Sequence, residues 1–117
     1  MYRVPDDLDL SSTVGDFLTQ IAVGQGDLQF TLGGFRFMAM SSVTLRRAGE
    51  QIAAWTQGTW PQAAFYDVMN TAVVGCEVED ERTIAFRFDN GVEMRLIDDS
   101  DQFETIQISG DKGLWVI

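Results

Sequence analysis

The reactive groups of this sequence are mainly carboxylates, and two short runs of them stand out. They are Glu77, Glu79, Asp80 and Glu81 in the first run and Asp98, Asp99 and Asp101 in the second. Paired carboxylates can catalyse glycoside-type hydrolysis, carboxylate oxygens can hold a hard cation, and exposed acids can attract a basic partner. The two runs therefore allow three kinds of site.

Most other chemistry is excluded by residue type. The chain contains no histidine, which removes Ser-His-Asp and Cys-His catalysis and histidine-ligated metals. Its only cysteine, Cys76, stands next to Glu77, where a thiolate is disfavoured, and we interpret it as a small core residue. The sequence has no phosphate-binding glycine motif. We therefore predict a protein that is not an enzyme and has no cofactor.

The acidic runs are best explained as a solvated surface or a docking surface. The second run lacks the alternating acids, the glycine and the distal glutamate of a calcium loop, so we predict no metal site. If both runs lie on one edge of the fold, they form a rim that guides a basic partner and protects a sheet edge from aggregation. Trp60, beside Pro61, is expected to be partly exposed and to anchor a contact. The predicted partner-binding residues are Glu77, Glu79, Asp98, Asp99, Asp101 and Trp60.

Composition and charge limit the class of protein. The 117 residues are 45% hydrophobic and 22% charged, which indicates one globular domain with a real core. The formal net charge of −10 repels phosphate backbones, so we expect no nucleic-acid partner. No apolar run is long enough to span a bilayer, and the opening MYRVPDDLDL is acidic where a signal peptide is basic. We expect a cytoplasmic protein with no membrane partner.

A β-hairpin is predicted in the second half of the chain. Apolar and polar residues alternate along 84–88 and 92–96, on either side of an Asp-Asn-Gly turn. A three-residue loop places Phe86 opposite Met94 and keeps the apolar residues on one face, whereas a two-residue loop mixes the faces. Gly91 supplies the left-handed residue that such a turn needs.

A second hairpin is predicted in the first half. Residues 28–32 and 35–39 alternate in the same way around Gly33-Gly34, and a two-residue loop pairs Phe30 with Phe37. The two hairpins are about 57 residues apart, which predicts an internal repeat of about 14–45 and 73–103 and a fold of two related halves. Chance similarity between two amphipathic hairpins is the alternative.

The remaining elements complete the predicted fold. Strands are predicted at 43–47, 51–55, 103–108 and 114–117, the last after a turn at 110–113, while 12–23 suits either a short helix or a strand. One main helix is predicted over about 61–72, because Pro61 suits a first turn and apolar residues at 64, 65, 68, 69 and 72 share a face. The predicted class is α+β: an antiparallel sheet, strongly curved or split, built from two pseudo-repeated hairpin units and packed by this helix.

Part of the chain is similar to a known type of protein. The runs VVGCEV, AFRFDNGVEMRL, DDSDQFETIQI and LWVI, within residues 73–117, resemble small bacterial proteins of unknown function. Some of those proteins resemble the immunity proteins that neutralise bacterial toxins. Where that pattern has a Tyr-Glu-Ser-like triplet, this chain has Phe103-Glu104-Thr105. The resemblance implies no catalytic residues.

Three functions are compatible with these observations. The leading hypothesis is an immunity-like inhibitor that binds a basic protein through an acidic docking surface. The alternative is a domain that binds a small ligand in an apolar pocket between helix and sheet, and an acid-only hydrolase comes third. Met38 and Met40 also mark a candidate surface for a homodimer, on the face opposite Phe35 and Phe37.

Overall fold

The described residues form an all-β structure. The computed structural model describes residues 3–5, 8–110 and 113–117. The strands are β1 (Leu18–Val23), β2 (Leu28–Leu32), β3 (Phe35–Ala39), β4 (Val43–Arg47), β5 (Glu50–Trp55), β6 (Val73–Asp80), β7 (Thr83–Phe88), β8 (Val92–Ile97), β9 (Ile106–Gly110) and β10 (Gly113–Val116). They form two five-stranded antiparallel sheets, ordered β1-β2-β3-β9-β10 in sheet I and β5-β4-β8-β7-β6 in sheet II.

Each sheet combines three consecutive strands from one half of the chain with a two-stranded hairpin from the other half. The strands β1, β2 and β3 form a meander that β9 and β10 complete, and β6, β7 and β8 form a meander that β4 and β5 complete. The chain crosses from sheet I to sheet II through residues 40–42 and returns through residues 98–105. The strand orders are therefore the same when β1 to β5 are matched with β6 to β10. Whether this arrangement reflects a sequence repeat stays a prediction.

Both predicted hairpin registers are confirmed. In sheet II, Phe86 is paired with Met94 across the β7–β8 turn, and Gly91 in that turn has a φ of 85°. In sheet I, Phe30 is paired with Phe37 across the two-residue turn. Alternation with one apolar face fixed these registers, because a slip by one residue would move every apolar side chain to the solvent face.

The predicted main helix over about 61–72 is wrong, and so is the α+β class. This stretch contains a short 3₁₀ helix, Ala63–Val68, in which Phe65 and Val68 are buried. A separation of three residues is one turn of a 3₁₀ helix, so the apolar spacing that indicated an α-helix fits this shorter element. Asn70 then takes a left-handed φ of 58°, and Ala72 forms a bridge with Phe17 at the start of the strands.

The other predicted elements are mostly found as strands. The strands at 43–47 and 51–55 are confirmed by β4 and β5, and the last strand by β10. The 12–23 stretch contains a 3₁₀ turn, Ser11–Thr13, followed by the strand β1. The strand predicted from residue 103 begins only at Ile106, because residues 98–105 form the second crossing. The predicted turn at 110–113 includes residues 111 and 112, which lie outside the described residues.

The inner faces of both sheets contribute to a common hydrophobic core. Phe37 of sheet I and Phe86 of sheet II are fully buried, and their rings meet edge to face with centroids 5.0 Å apart. Burying a side chain of this size contributes about 1.5–3 kcal/mol through removal of apolar surface from water. The edge-to-face geometry is one that aromatic pairs prefer. The core therefore fixes each sheet against the other.

Both crossings lie at the same end of the two sheets. Ala39 at the end of β3 is paired with Ile106 at the start of β9, and Val43 at the start of β4 is paired with Leu96 near the end of β8. We call this end, with the crossings 40–42 and 98–105 and the β6–β7 turn, the crossover end. Among the described residues, no helix is long and apolar enough to cross a membrane.

Candidate functional site

The structure brings the two acidic runs together at the crossover end. The first run occupies the end of β6 and the β6–β7 turn, and the second lies in the crossing 98–105. Arg82 joins them, because its guanidinium donates hydrogen bonds to the carbonyl oxygen of Asp98 at 3.1 Å and to the carboxylate of Asp101. The exposed carboxylates here, which we call the acidic rim, are Glu77, Glu79, Asp80, Glu81, Asp99, Asp101 and Glu104.

Asp98 is an internal anchor of this loop. Its side chain is fully buried and accepts a hydrogen bond from the Thr105 hydroxyl at 2.7 Å and one from the Arg3 guanidinium at 3.3 Å. The backbone amide of Asp98 also donates to the carbonyl oxygen of Arg82 at 2.7 Å. A buried carboxylate with these partners fixes both ends of the crossing. Of the predicted docking residues, Asp98 alone has a side chain with no exposed surface.

Asp101 lies between two arginines at the surface. Its Oδ1 is 2.5 Å from Nη2 of Arg3 and also accepts a hydrogen bond from Arg82. The hydrogen bond and charge of Arg82, followed by the contact with Arg3, lower the pKa of the Asp101 carboxyl below its ordinary range. The Asp101 contact likewise raises the pKa of Arg82. The carboxylate therefore stays charged and holds the loop to the N-terminal segment and to the β6–β7 turn.

Serine hydroxyls shape the rest of the loop. The Oγ of Ser100 accepts hydrogen bonds from the amides of Gln102 and Phe103 at 3.1 and 3.0 Å. The Ser42 hydroxyl, in the other crossing, donates to the Asp99 carboxylate at 2.7 Å. These contacts form a local turn of the kind that serine favours. The turn leaves Phe103 with 70% of its surface exposed.

A groove of about 840 Å³ lies beside this turn. Its walls combine apolar side chains, amides and acids: Met40, Gln57, Asp99, Ser100, Gln102, Phe103, Glu104 and Thr105. The groove thus combines an exposed aromatic ring, Phe103, with two carboxylates of the acidic rim, Asp99 and Glu104. Aromatic rings with adjacent acids suit a cationic, partly apolar side chain from a partner.

Glu77 and Glu79 lie on the outer face of sheet II, where opposite charges are mixed. Arg95 donates two hydrogen bonds to Glu79, at 3.2 and 2.9 Å, and lies 2.8 Å from Glu93. The hydrogen bond that Arg95 donates to Glu79, followed by the nearby charge of Glu93, raises the pKa of Arg95. Arg87 is paired with Glu93 on the same face. The β6 part of the rim is therefore partly neutralised, and the crossing 98–105 is its more available part.

Trp60 is strongly exposed, as the sequence predicts, but lies on another flank of the crossover end. Its side chain keeps 78% of its surface in solvent and lines a groove of about 420 Å³ with the turn between β1 and β2. The side-chain amide of Gln57 donates to the carbonyl oxygen of Gly26 in that turn at 3.0 Å and also lines the groove at Phe103. Gln57 thus separates the Trp60 surface from the acidic rim.

Sequence reasoning missed three contributors to this site. Arg3 and Arg82 hold the acidic loop, although Arg3 is 95 positions away from Asp98. The sequence pattern places Phe103 in a strand, whereas the structure has it in the exposed turn before β9. The available signal was the serine at position 100, since a serine hydroxyl favours a turn by accepting hydrogen bonds from backbone amides a few residues on.

Cys76 behaves as a packing residue. It packs against the core, and its burial raises the pKa of the thiol to about 11, although a hydrogen bond with Thr13 opposes this shift. At neutral pH the thiol therefore stays protonated and is a poor nucleophile. Among the residues that the structure describes, no group of three or more cysteine, aspartate or glutamate side chains is placed to hold a metal ion.

Comparison with known proteins finds no relative for this chain. No protein-family model, no curated protein and no solved structure matches it. Function is therefore inferred from the surfaces just described.

Proposed function

We propose that the protein is not an enzyme and acts by binding a basic protein partner through the acidic rim, in the manner of an immunity-type inhibitor. The observation that supports this most is the meeting of two separate acidic runs beside a groove with an exposed aromatic side chain. Arg82 joins the two runs, and Phe103 lies in the groove. Neither feature alone would distinguish docking from solvation.

The charge of the rim favours rapid association with a cationic surface. The rim has seven exposed carboxylates, and of these Asp101 and Glu79 form ion pairs with arginines, which offset part of the negative charge. Such a local excess of negative charge, on a chain of net charge −10, attracts a basic partner from a distance and orients it. Because Arg3 and Arg82 hold the loop, less conformational entropy is lost on binding.

The groove supplies the short-range part of the interface. An arginine of the partner can lie across the exposed ring of Phe103 while its guanidinium pairs with Asp99 or Glu104, which line the same groove. Buried aromatic and arginine contacts dominate the binding energy of many interfaces, and the surrounding charges contribute mainly to rate and specificity. We propose a cytoplasmic location for this complex.

Ligand binding is the second candidate function. It is favoured by an apolar groove of about 270 Å³ between β1 and the 3₁₀ helix, lined by Ile21, Val23, Pro61, Gln62, Ala63, Phe65, Tyr66 and Met69. Sites for drug-sized ligands usually measure about 300–1,000 Å³, so this groove suits only a small apolar compound. Such a compound would raise the melting temperature of the wild type, and Ala63→Trp, which fills the groove, would abolish that rise.

The docking proposal is tested by capture with a matched pair of charge-reversal variants. Tagged wild-type protein, Asp99→Lys/Glu104→Lys and Glu50→Lys/Asp89→Lys are used to capture proteins from lysate of the native host. Glu50, the first residue of β5, and Asp89, in the β7–β8 turn, are exposed carboxylates at the other end of sheet II. Both variants change the net charge equally, so only the location of the change differs.

We expect one basic protein to be captured by the wild type and by the control variant. The rim variant should retain it at least about tenfold less well, because apposed like charges cost several kcal/mol. Added salt should weaken the capture, since it screens exposed charges. Equal loss in both variants would reduce the effect to net charge, and equal retention in both would exclude the rim as the docking surface.

A further inference from the structure

On the outer face of sheet I, none of the described strand positions carries a carboxylate, and the nearest acid is Asp27, just before β2, which accepts a hydrogen bond from the Gln29 side chain at 2.7 Å. Pairing across the five strands places two rows of side chains on this face. The rows are Ala22, Gln29, Met38, Gln107 and Val116, and Gln20, Thr31, Arg36, Ser109 and Leu114. The only charge among these ten side chains is the guanidinium of Arg36. We call this surface the neutral face.

The neutral face is unusual for a chain of this charge. The net charge is −10, yet the outer face of sheet II displays Glu77, Glu79, Glu93 and three arginines, while the neutral face has amides, hydroxyls and apolar groups. Leu114 keeps 62% of its surface exposed there. Solubility alone would favour acids on both sheets.

We propose that the neutral face is the interface with a second copy of this chain. Two molecules of charge −10 repel each other, and this face lets their sheets meet through ten strand side chains that include no carboxylate, with Asp27 at the end of the face near the β1–β2 turn. Its one charge, Arg36, is opposite in sign to the net charge of the second copy. Two such faces pack about 10 Å apart with nearly aligned strands, and a two-fold axis places the same patch on both sides. The central side chain of the face, Met38, contacts its partner sheet, and glutamines pair across the interface.

The size of the face sets the strength of this association. Five strands of four to six residues span a plane of about 24 by 17 Å, or about 400 Å² in projection, from standard strand spacings. A standard stable interface buries about 800 Å² on each partner. The dimer is therefore weak and reversible, and it forms at high protein concentration.

Sedimentation velocity over a concentration series tests this inference without any other partner. The wild type should associate from monomer to dimer, and salt should strengthen the dimer because it screens the repulsion between the two acidic molecules. Met38→Glu and Gln107→Glu each place a carboxylate at the centre of the face in both copies, and each should weaken dimerisation at least about tenfold. Thr44→Glu adds the same charge at a half-buried outer position of sheet II and should leave the dimer unchanged.

The outcomes separate this inference from the docking proposal, which it does not require. A monomer at every concentration and salt would overturn it, and so would a dimer that Thr44→Glu weakens as much as Met38→Glu. A dimer that dissociates on addition of salt would show that opposite charges hold it, which also contradicts an interface at the neutral face. Circular dichroism of each variant verifies that the fold is retained.

Discussion

The outer faces of the two sheets have the same strand arrangement and different surface chemistry, mixed charges on sheet II and almost none on sheet I. Sheet II displays Glu77, Glu79 and Glu93 among arginines and leads into the acidic rim. Sheet I displays glutamine, threonine, methionine and one arginine. Because the strand order is the same, the difference lies in the side chains at the solvent-facing positions. This difference is the basis of the two proposals, a basic protein bound at the rim and a second copy bound at sheet I.

The two sheets share one core, so a core substitution should have the largest effect on the free energy of unfolding. Phe86→Ala removes the ring that meets Phe37 and should lower the free energy of unfolding by about 3–5 kcal/mol. Urea unfolding followed by circular dichroism and tryptophan fluorescence should give coincident transitions. Phe103→Ala, at an exposed ring, should stay within about 0.5 kcal/mol of wild type. Separate transitions for the two probes would contradict a common core.

Neighbouring aspartates of the crossing should differ in their effect on stability. Asp98→Ala removes the buried carboxylate that accepts hydrogen bonds from both the Arg3 guanidinium and the Thr105 hydroxyl, which should cost about 1–3 kcal/mol. Asp99→Ala, at an exposed position, should change the unfolding free energy by less than about 0.5 kcal/mol. The two variants are compared by urea denaturation. Equal destabilisation would mean that Asp98 is not the anchor of the loop.

A smaller difference is expected between the arginines of the two faces. Arg95→Met removes a cation that lies between Glu79 and Glu93 and should cost about 0.2–1 kcal/mol, the usual range for exposed ion pairs. Arg36→Met, on the neutral face, should be close to neutral or slightly stabilising. Both are measured at low and high salt, and only the Arg95 effect should shrink as salt is added. A salt-independent loss at Arg95 would indicate packing instead.

The smallest effect is the pH dependence of Asp101, which is best followed by NMR. Its pKa is lowered by Arg82 in the folded chain, so its pairing contributes above the ordinary value of 3.8 and is lost as the pH falls through the lowered pKa. Arg82→Met should raise the pKa of Asp101 back toward 3.8. Arg46→Met, on the outer face of sheet II, should leave it unchanged. An unaltered pKa in Arg82→Met would remove Arg82 as the cause.

Local pattern predicted the hairpins well and the helix badly. Around Phe86 and Phe30, strict alternation met a glycine turn, and only one register keeps the apolar side chains on one face. Between Pro61 and Ala72, apolar residues three and four apart fit both an α-helix and a shorter 3₁₀ turn. Contacts with residues outside the segment favour the shorter 3₁₀ turn. For example, the Asn90 side chain donates a hydrogen bond to the carbonyl oxygen of Asp67 at 2.7 Å.

The candidate site was predicted only in part, for a related reason. The sequence indicates that both acidic runs lie near strand ends, but not that Arg82 connects them. It also cannot distinguish Asp98, which is buried, from Asp99, which is exposed, since both stand in the same polar run. Burial there depends on Arg3 and Thr105, which reach Asp98 through tertiary packing.

The acidic rim is proposed to bind a basic protein through charge attraction, which salt weakens, and the neutral face is proposed to bind a second copy against charge repulsion, which salt also weakens. The most direct test is one salt series in which tagged wild-type protein is mixed with host lysate and an excess of its own untagged copy, and retained proteins are quantified by mass spectrometry. We predict that rising salt releases a basic protein and increases retention of the untagged copy. If salt released both, or neither, the two surfaces would not differ in the way proposed.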